Sequence, residues 1–476
     1  MYSWHFIILL TYFVFHVYSQ CPDYSDYSSN QHEPYTGGRY NLSYQRPQPS
    51  CRTFNSSVVE RTVNRIKSSI LDPDLARLFE NTYPNTLDTA IRWQGYANNS
   101  DEELAFVITG DIDAMWLRDS ANQLQPYAPL LSTGYYTSNS SLASLFRGAI
   151  NLQARYVANY PLCNAFQAPA ESGILPDFNW NDQVYPNYNH SEVYQCSFEL
   201  DSLAAFLQLS VDYHSATKDT SFFSNYSWPK AVESLLDTSE TMMKPTYADN
   251  GSVSDPPYTF KYCNNDLNNN GIGSPVAEDV GLIRSPFRPS DDPAIYQFFI
   301  PGNMMLASNL LRAAEIMYSV NRTLAARMVN MGTSLHAAIE DYAVVEHRKY
   351  GKIYAYEVDG YGGINIMDDA NTPSLLSAPM SGYVNMSDPV YLNTRRMILG
   401  KGNPYWQQGR VISAVGSPHT GLGRAWPMAS IVRIMTSEDD EEIAGQLKML
   451  VGSTDGLGLM HESVAVGDQD VWSRQW

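Results

Sequence analysis

The stretch FELDSLAAFL, residues 198–207, combines an acidic start with an apolar helical repeat. Its apolar residues at positions 200, 203, 204 and 207 share one face of a helix, which predicts a buried helix. Glu199 and Asp201 lie at the start of that helix, where the helix dipole stabilises a carboxylate. These acids therefore either stabilise the helix terminus or face a ligand, and the stretch alone leaves both interpretations open.

Comparable apolar stripes occur in residues 59–70, 324–338, 428–435 and 443–450. Ser57 and Ser437 are the predicted caps of two of these helices. Strand-like runs such as residues 352–358 are few, and no alternation of strands and helices indicates a doubly wound sheet. Long connections usually carry function, and here they span residues 255–288, 359–379 and 401–420. We predict an all-α fold, a toroid whose loops converge on one pocket, formed by a single domain over residues 56–476.

Composition restricts the partners. A net charge of −19 over 476 residues argues against nucleic acid, whose phosphates need a basic surface. The 33 Tyr and 9 Trp residues suit either a core or a carbohydrate cleft. No metal-binding spacing such as CxxC occurs, so neither a metal nor a cofactor is predicted. We expect a monomer.

The N-terminus resembles an export signal. Residues 6–17 are almost wholly apolar, so residues 1–19 are predicted to be a signal peptide that is cleaved or retained as an anchor. Residues 20–55 are predicted to be an extended arm. A secreted or secretory-pathway lumenal glycoprotein agrees with nine Asn-x-Ser/Thr sequons and with two plausible disulfides, Cys21–Cys51 and Cys163–Cys196.

The run GDIDAMWLRDS, residues 110–120, places carboxylates, an arginine and a tryptophan around one turn. A sugar site needs this mixture, because an aromatic face covers the C–H side of a pyranose while charged groups bind its hydroxyls. The candidate ligands are Asp111, Trp116, Arg118 and Asp119. Alternatively, Arg118 forms a structural ion pair with Asp119 or Asp113.

Further acidic loops follow this pattern. Adjacent ionised carboxylates repel, so one acid of the Asp291–Asp292 pair is expected to stay protonated, as a general acid must. The alternative is that Ser290 or Asp291 caps a helix. The remaining candidates are Arg288, Asp368, Asp369, Asn371, His419, His461 and Glu462. Without a nucleophile motif or a phosphate-binding Gly loop, the chemistry offered is that of two carboxylates, which glycoside hydrolysis uses.

Six motifs occur here in order: GDIDAMWLRDS, FELDSL, SPFRPSDD with IPGNMM, MDDANTPSLLS, SPHTGLGRAWP and GLGLMHES. In these motifs the chain closely resembles glycoside hydrolase family 125, exo-α-1,6-mannosidases. The resemblance spans residues 56–476 and implies an (α/α)6 toroid, release of terminal α-1,6-linked mannose with inversion, and no metal. It implies Asp291 or Asp292 as the general acid, with a preference for Asp292, and Glu462 as the general base. The partner implied is a mannose-containing oligosaccharide or polysaccharide.

Two departures and two rival functions accompany the resemblance. At residues 284–287, Pro286 stands where Gly is expected and Arg284 where Trp or another large group is expected, which is predicted to reshape the approach to the acid. The family usually continues beyond the MHES segment with a further helix, so the closing helix of the toroid is predicted to be missing or shortened. A metal-dependent glycosidase would use Asp368, Asp369, His419 and His461 as ligands, although these are scattered in the sequence. A catalytically impaired mannan-binding protein is the other alternative.

Overall fold

The computed structural model describes residues 21–131, 141–178, 182–262 and 267–475. The predicted signal peptide, the sequon at Asn139 and the fifth cysteine, Cys263, lie outside these residues. The described helices are α1 (Tyr24–Ser28), α2 (Ser57–Lys67), α3 (Pro73–Thr82), α4 (Asn85–Thr89), α5 (Leu117–Leu124), α6 (Ala128–Leu131), α7 (Ser141–Asn159), α8 (Leu200–Thr217), α9 (Trp228–Met242), α10 (Asn268–Gly271), α11 (Ile300–Val320), α12 (Arg322–Ala343), α13 (Pro389–Ile398), α14 (Pro427–Met435) and α15 (Asp440–Val451).

Among the described residues helix predominates, at 42% against 14% strand, so the fold is mostly helical. The strands are short and pair antiparallel into small two- and three-stranded sheets. They are β1 (Ile91–Tyr96), β2 (Glu103–Val107), β3 (Met115–Trp116), β4 (Ala165–Phe166), β5 (Gln183–Tyr185), β6 (Val193–Gln195), β7 (Thr259–Lys261), β8 (Phe298–Phe299), β9 (Val344–His347), β10 (Gly351–Tyr354), β11 (Glu357–Val358), β12 (Ile364–Asn365), β13 (Trp406–Gln408), β14 (Ser413–Val415), β15 (Arg424–Ala425), β16 (His461–Ala465) and β17 (Asp468–Gln475).

The helices pack in two layers. Helices α8 and α11 are buried over almost their whole length, as expected for helices that are apolar on all sides. Helix α8 packs against α5 and α11, whereas α12 packs on α11 and against α9. Helices α9 and α12 each keep an exposed face and form the outer layer. The N-termini of α5 and α14 carry side chains that meet at one cavity, described below.

Two predicted helix caps are wrong by one or two residues. Ser56, not Ser57, caps α2, because Ser57 is already helical and the Ser56 hydroxyl accepts the N–H of Val59 at 3.5 Å. Asp439, not Ser437, caps α15 by accepting two backbone N–H groups. An N-cap must have extended backbone and an acceptor side chain, and these two residues meet both conditions.

Residues 21–55 run along the helical domain, and α1 interrupts the predicted extended arm. Leu42 is fully buried and packs with Leu78 and Val451. The guanidinium of Arg46 is buried between Asp88, at 2.7 Å, and Glu60. This segment is therefore anchored to the domain through its side chains.

Both predicted disulfides are present, Cys21–Cys51 and Cys163–Cys196. Among the described residues, none of the helices combines the length and apolarity needed to cross a membrane.

Candidate active site

A cavity of about 410 Å³ opens where the N-termini of α5 and α14 approach the loop before α11 and the strand β16. It brings together eight of the predicted site residues. Its lining comprises Thr109, Ile112, Trp116, Arg118, Asp119, Gln195, Pro289, Ser290, Asp291, Asn371, His419, Trp426, Met428, Ile431, Met460, His461, Glu462 and Arg474.

Trp116 is fixed in the cavity wall by local structure. It is the last residue of β3, pairs with Ala165 of β4, and directly precedes α5. Its ring meets that of Tyr194 edge-on, with the ring centroids 5.6 Å apart. The tryptophan therefore offers a rigid aromatic surface to a ligand in the cavity.

Arg118 lines the cavity and also forms a buried ion cluster that includes the predicted pair with Asp119. Its Nη1 donates to Glu199 at 2.8 Å and to Asp201 at 3.0 Å, and its Nη2 donates to Asp119 at 3.1 Å. Glu199 and Asp201 are fully buried behind the arginine and do not line the cavity. The alternative partner, Asp113, instead pairs with Arg92 at the surface.

Asp291 lies at the centre of this network. Its Oδ1 accepts hydrogen bonds from Asn164 Nδ2 at 2.8 Å and Gln195 Nε2 at 2.9 Å, and its backbone N–H donates to Glu199 Oε1 at 3.2 Å. The backbone is left-handed, with φ of 61°, a conformation that Asp and Asn tolerate better than most residues. Desolvation raises the pKa of the Asp291 carboxyl, although nearby Arg118 opposes that rise.

Asp292 has a different environment. It is not among the cavity-lining residues, and its carboxylate accepts a hydrogen bond from Ser290 Oγ at 2.7 Å. His419 Nδ1 lies 3.3 Å from Asp292 Oδ2, and this hydrogen bond raises the pKa of His419. The Asp292 carboxylate is thus engaged with His419, which itself lines the cavity.

Glu462 lies on β16, the middle strand of the sheet β15–β16–β17. Its Oε2 accepts a hydrogen bond from Ser473 Oγ at 2.9 Å, and Arg474 Nη1 lies 3.9 Å from its Oε1. Arg474 also approaches Asp111, which does not line the cavity, at 3.6 Å. The hairpin of β16 and β17 therefore holds the Glu462 carboxylate at the cavity.

His461 is a neutral group at this cavity. Burial lowers its pKa to about 4. Its ring stacks on Trp472, with centroids 4.3 Å apart, and its Nδ1 lies 3.2 Å from the carbonyl oxygen of Arg474. That carbonyl places the proton of the neutral ring on Nδ1.

Three predicted ligands lie behind the cavity instead of facing it. Asp368 is buried and accepts the backbone N–H groups of residues 375 and 376, and burial raises its pKa to about 8. Asp369 accepts hydrogen bonds from Asn371 and Ser417, and so supports Asn371, which does line the cavity. Arg288 donates to Glu357 at 2.6 Å and covers the Tyr356 ring.

Among the described residues, no group of three or more His, Cys, Asp or Glu side chains is arranged to hold a metal ion. The four scattered ligands of the metal-dependent alternative accordingly do not form such a group.

Sequence reasoning missed several residues of the site. Asn164 and Gln195 lie next to Cys163 and Cys196, so the predicted disulfide was a signal that these two amides come together. Trp426 belongs to the motif SPHTGLGRAWP but was not among the candidate ligands. Ser473 offers no comparable signal, because strand pairing brings it to the site.

Comparisons with known proteins show which family the chain resembles. A family model described as metal-independent α-mannosidase, glycoside hydrolase family 125, matches residues 72–476. The meiotically up-regulated gene 157 protein of Schizosaccharomyces pombe is 47% identical over 465 residues, covering 96% of this chain and 89% of that protein. A metal-independent α-mannosidase from Streptococcus pneumoniae, solved in a non-productive complex with α-1,6-mannobiose, is 32% identical with a TM-score of 0.78; the match covers 89% of this chain and 95% of that one.

Proposed function

Because the chain belongs to glycoside hydrolase family 125 and is therefore a glycosidase, we propose that it is an exo-acting α-1,6-mannosidase. It releases terminal mannose from the non-reducing ends of mannan or N-glycan-type oligosaccharides without a metal. The observation that carries this proposal is a cavity whose three lining carboxyl groups, Asp119, Asp291 and Glu462, include two that differ in environment and are not paired with Arg118 through a side-chain hydrogen bond, Asp291 and Glu462. The mannobiose complex of the S. pneumoniae relative supports the choice of sugar and linkage.

Asp291 is the general acid of the proposed reaction. Burial favours its protonated form, and a general acid must hold its proton until the leaving oxygen needs it. Asp292 was preferred on sequence grounds, but its carboxylate lies outside the cavity lining and is paired with His419. The geometry therefore favours Asp291.

Glu462 is the general base that activates a water. In inversion, that water attacks from the face of the ring opposite the leaving group, and the two carboxyl groups stand about 6.5–9.5 Å apart. Trp116 supplies an apolar platform for the sugar, and Arg118 and Asp119 supply polar contacts to its hydroxyls. Glu199 and Asp201 act through Arg118, since they are buried behind it.

The two helix layers of the fold are consistent with an (α/α)6 toroid that opens at the cavity. We propose the same single domain over residues 56–476, acting as a monomer. The apolar N-terminus and the sequons support a secreted or lumenal location.

A panel of α-1,6-, α-1,2- and α-1,3-mannobiose tests the specificity. We expect free mannose from the α-1,6 isomer alone, and equal or greater release from another isomer would contradict the proposal. Binding of α-1,6-mannobiose without release would instead identify a mannan-binding protein. NMR of the fresh reaction tests the stereochemistry: β-mannose first indicates inversion, whereas α-mannose first indicates retention.

A further inference from the structure

The two amides that hold Asp291 come from separate segments of the chain. Asn164 directly precedes β4 and Gln195 ends β6, and both residues are buried. Each donates its side-chain N–H to the same oxygen, Oδ1 of Asp291. A side-chain hydrogen bond with Glu199 also acts on the carboxyl and lowers its pKa. The two amides occupy Oδ1, so a proton on this carboxyl is placed on Oδ2. The two amides therefore determine where the transferable proton resides.

These two segments are covalently joined at the residues that neighbour the amides. Cys163 precedes Asn164, Cys196 follows Gln195, and the two buried cysteines form a disulfide. The backbone N–H of Ser197 also donates to Asn164 Oδ1 at 3.0 Å, and Gln195 Nε2 donates to Ser197 Oγ at 2.9 Å. The link thus extends from the disulfide through a hydrogen-bonded network to the carboxyl group.

We propose that the Cys163–Cys196 disulfide, Asn164 and Gln195 form a clamp that positions Asp291 for proton donation. This inference rests on the proposed function. Asn164 and Gln195 are positioning residues, because they act through Asp291. The disulfide therefore contributes to catalysis by holding these two residues, and not only to the stability of the fold.

The clamp acts on Asp291 both before the proton transfer, when the carboxyl is protonated, and after it, when it is a carboxylate. The Oδ2 proton passes to the glycosidic oxygen as the bond from that oxygen to the anomeric carbon breaks, and the bonding electron pair stays on the oxygen, which leaves as a hydroxyl group. Water adds to the anomeric carbon and gives its proton to Glu462. Asp291 becomes a carboxylate, whose charge the two amide donors stabilise. The charged or titratable groups that also face Asp291 are Arg118, Glu199, Asp119 and His419.

The two disulfides of the chain provide a matched comparison. Cys163→Ser/Cys196→Ser removes the clamp, and Cys21→Ser/Cys51→Ser removes a bond with nearly the same sequence separation, 30 residues against 33. Chain-entropy stabilisation depends on loop length, so the two losses of stability should be similar. We expect kcat on α-1,6-mannobiose to fall roughly 10- to 100-fold in the first variant, as a misplaced catalytic group costs, with KM little changed. The second variant should keep its kcat.

An aryl mannoside with a good leaving group separates positioning from general damage. Such a substrate needs no protonation of the leaving oxygen, so the clamp variant should retain its kcat on it. Equal losses on both substrates, or equal losses in the two disulfide variants, would overturn the clamp. If the cysteine variant does not fold, Asn164→Ala/Gln195→Ala with the disulfide intact decides the question by the same criteria.

A titration keeps the clamp separate from the mannosidase proposal. If the wild-type protein releases no mannose from any mannobiose, the proposed function is wrong, and the clamp is then judged by the ¹³C carboxyl shift of Asp291, assigned by its absence in Asp291→Asn. Removal of the two amide donors in Asn164→Ala/Gln195→Ala, or their displacement in Cys163→Ser/Cys196→Ser, should raise the Asp291 pKa, whereas Cys21→Ser/Cys51→Ser should leave it unchanged. An unchanged Asp291 titration in the clamp variants would overturn the inference.

Discussion

Asp291 and Asp292 are adjacent in the chain, but only Asp291 lines the cavity, and single substitutions can separate their roles. Asp291→Asn should lower kcat on α-1,6-mannobiose by roughly 10²- to 10⁴-fold, the usual contribution of a general acid. An aryl mannoside should restore most of that rate, because its leaving group needs no proton. Asp292→Asn should lose less activity and show no such restoration.

Glu462→Gln is the complementary variant. It should fold and bind substrate, lose a similar factor in kcat, and gain nothing from a better leaving group, since it fails to activate water. Addition of azide, a nucleophile that replaces the activated water, checks this role and should restore the rate of Glu462→Gln. If Glu462→Gln recovers on the aryl mannoside, or if Asp292→Asn is the variant that recovers, the assigned roles are wrong.

Arg118 combines a cavity contact with a buried charge cluster. Arg118→Ala leaves the buried carboxyl groups of Glu199 and Asp201 without their cation. We expect a loss of about 3–5 kcal/mol in the free energy of unfolding, together with a lower kcat/KM. Urea denaturation and steady-state kinetics measure the two effects, and unchanged kinetics in a destabilised protein would restrict Arg118 to a structural role.

Two histidines of the site should affect stability with opposite dependence on pH. Burial lowers the folded-state pKa of His461 to about 4, below its unfolded value of about 6.5. The neutral His461 ring therefore makes its full contribution to the free energy of unfolding above pH 6.5. This contribution is lost as the pH falls toward 4, and the total loss is about 3 kcal/mol. Asp292 raises the folded-state pKa of His419, so that contribution is present below about pH 6.5 and is lost as pH rises through the raised pKa.

Urea unfolding of His461→Phe and His419→Gln between pH 4 and 8 checks these signs. As the pH falls, the free energy of unfolding of His461→Phe should rise relative to that of the wild type. That of His419→Gln should fall relative to the wild type. Difference curves with the same slope for both variants would contradict the assignment of the two environments.

Arg46 is one of the side chains that anchor the segment before α2 to the domain. This guanidinium is 4% exposed and binds Asp88 of α4 and Glu60 of α2. Arg46→Ala removes two hydrogen bonds to the buried Asp88 and leaves it paired with Arg52 at 3.5 Å, so the change should cost about 1.5–3 kcal/mol of unfolding free energy. Because Arg46 does not line the cavity, the kcat and KM of the folded variant should match the wild type. Arg39→Ala is the control, since Arg39 packs over the Tyr40 ring and should be nearly neutral.

The pairing of β16 with β17 brings Ser473 and Arg474 to Glu462, and the sequence gives little indication of it. Helical stripes such as residues 200–207 are visible because one periodicity spans many residues. Two-residue strands such as β3 are too short to show any period, and they depend on partners far along the chain. For the same reason FELDSL could be identified as part of the site from the sequence. The hydrogen bond by which Arg118 connects the buried Glu199 to the cavity is evident only from the folded structure.

Across the molecule, the sequence motifs identified the loops of the candidate site. They did not show which residues of each loop face the cavity and which lie behind it. Asp368 and Arg288 are in the same motifs as Asn371 and Asp291, yet only the latter pair lines the cavity. A motif marks a loop that must keep its shape, and the groups that fix the shape are as recognisable in sequence as the groups that touch a ligand. Burial, which distinguishes them, is a property of the folded chain.

Activity of the whole protein should not depend on a metal. The family description is metal-independent, and the proposed proton transfers use carboxyl groups alone. Dialysis against excess chelator should therefore leave kcat/KM for α-1,6-mannobiose unchanged. A loss that Ca²⁺ or Zn²⁺ restores would support the metal-dependent alternative instead.

The left-handed backbone at Asp291 limits the evolutionary substitutions that this position can accept. Glutamate would keep the carboxyl group, but its longer side chain fits poorly at φ of 61°. Asparagine suits that backbone and can still accept the hydrogen bonds of Asn164 and Gln195, yet it carries no acidic proton. A lineage can thus lose the acid by a single substitution at little cost to the fold, but it has no equally easy route to a different acid. Inactive descendants with intact folds are the expected outcome of drift at this position.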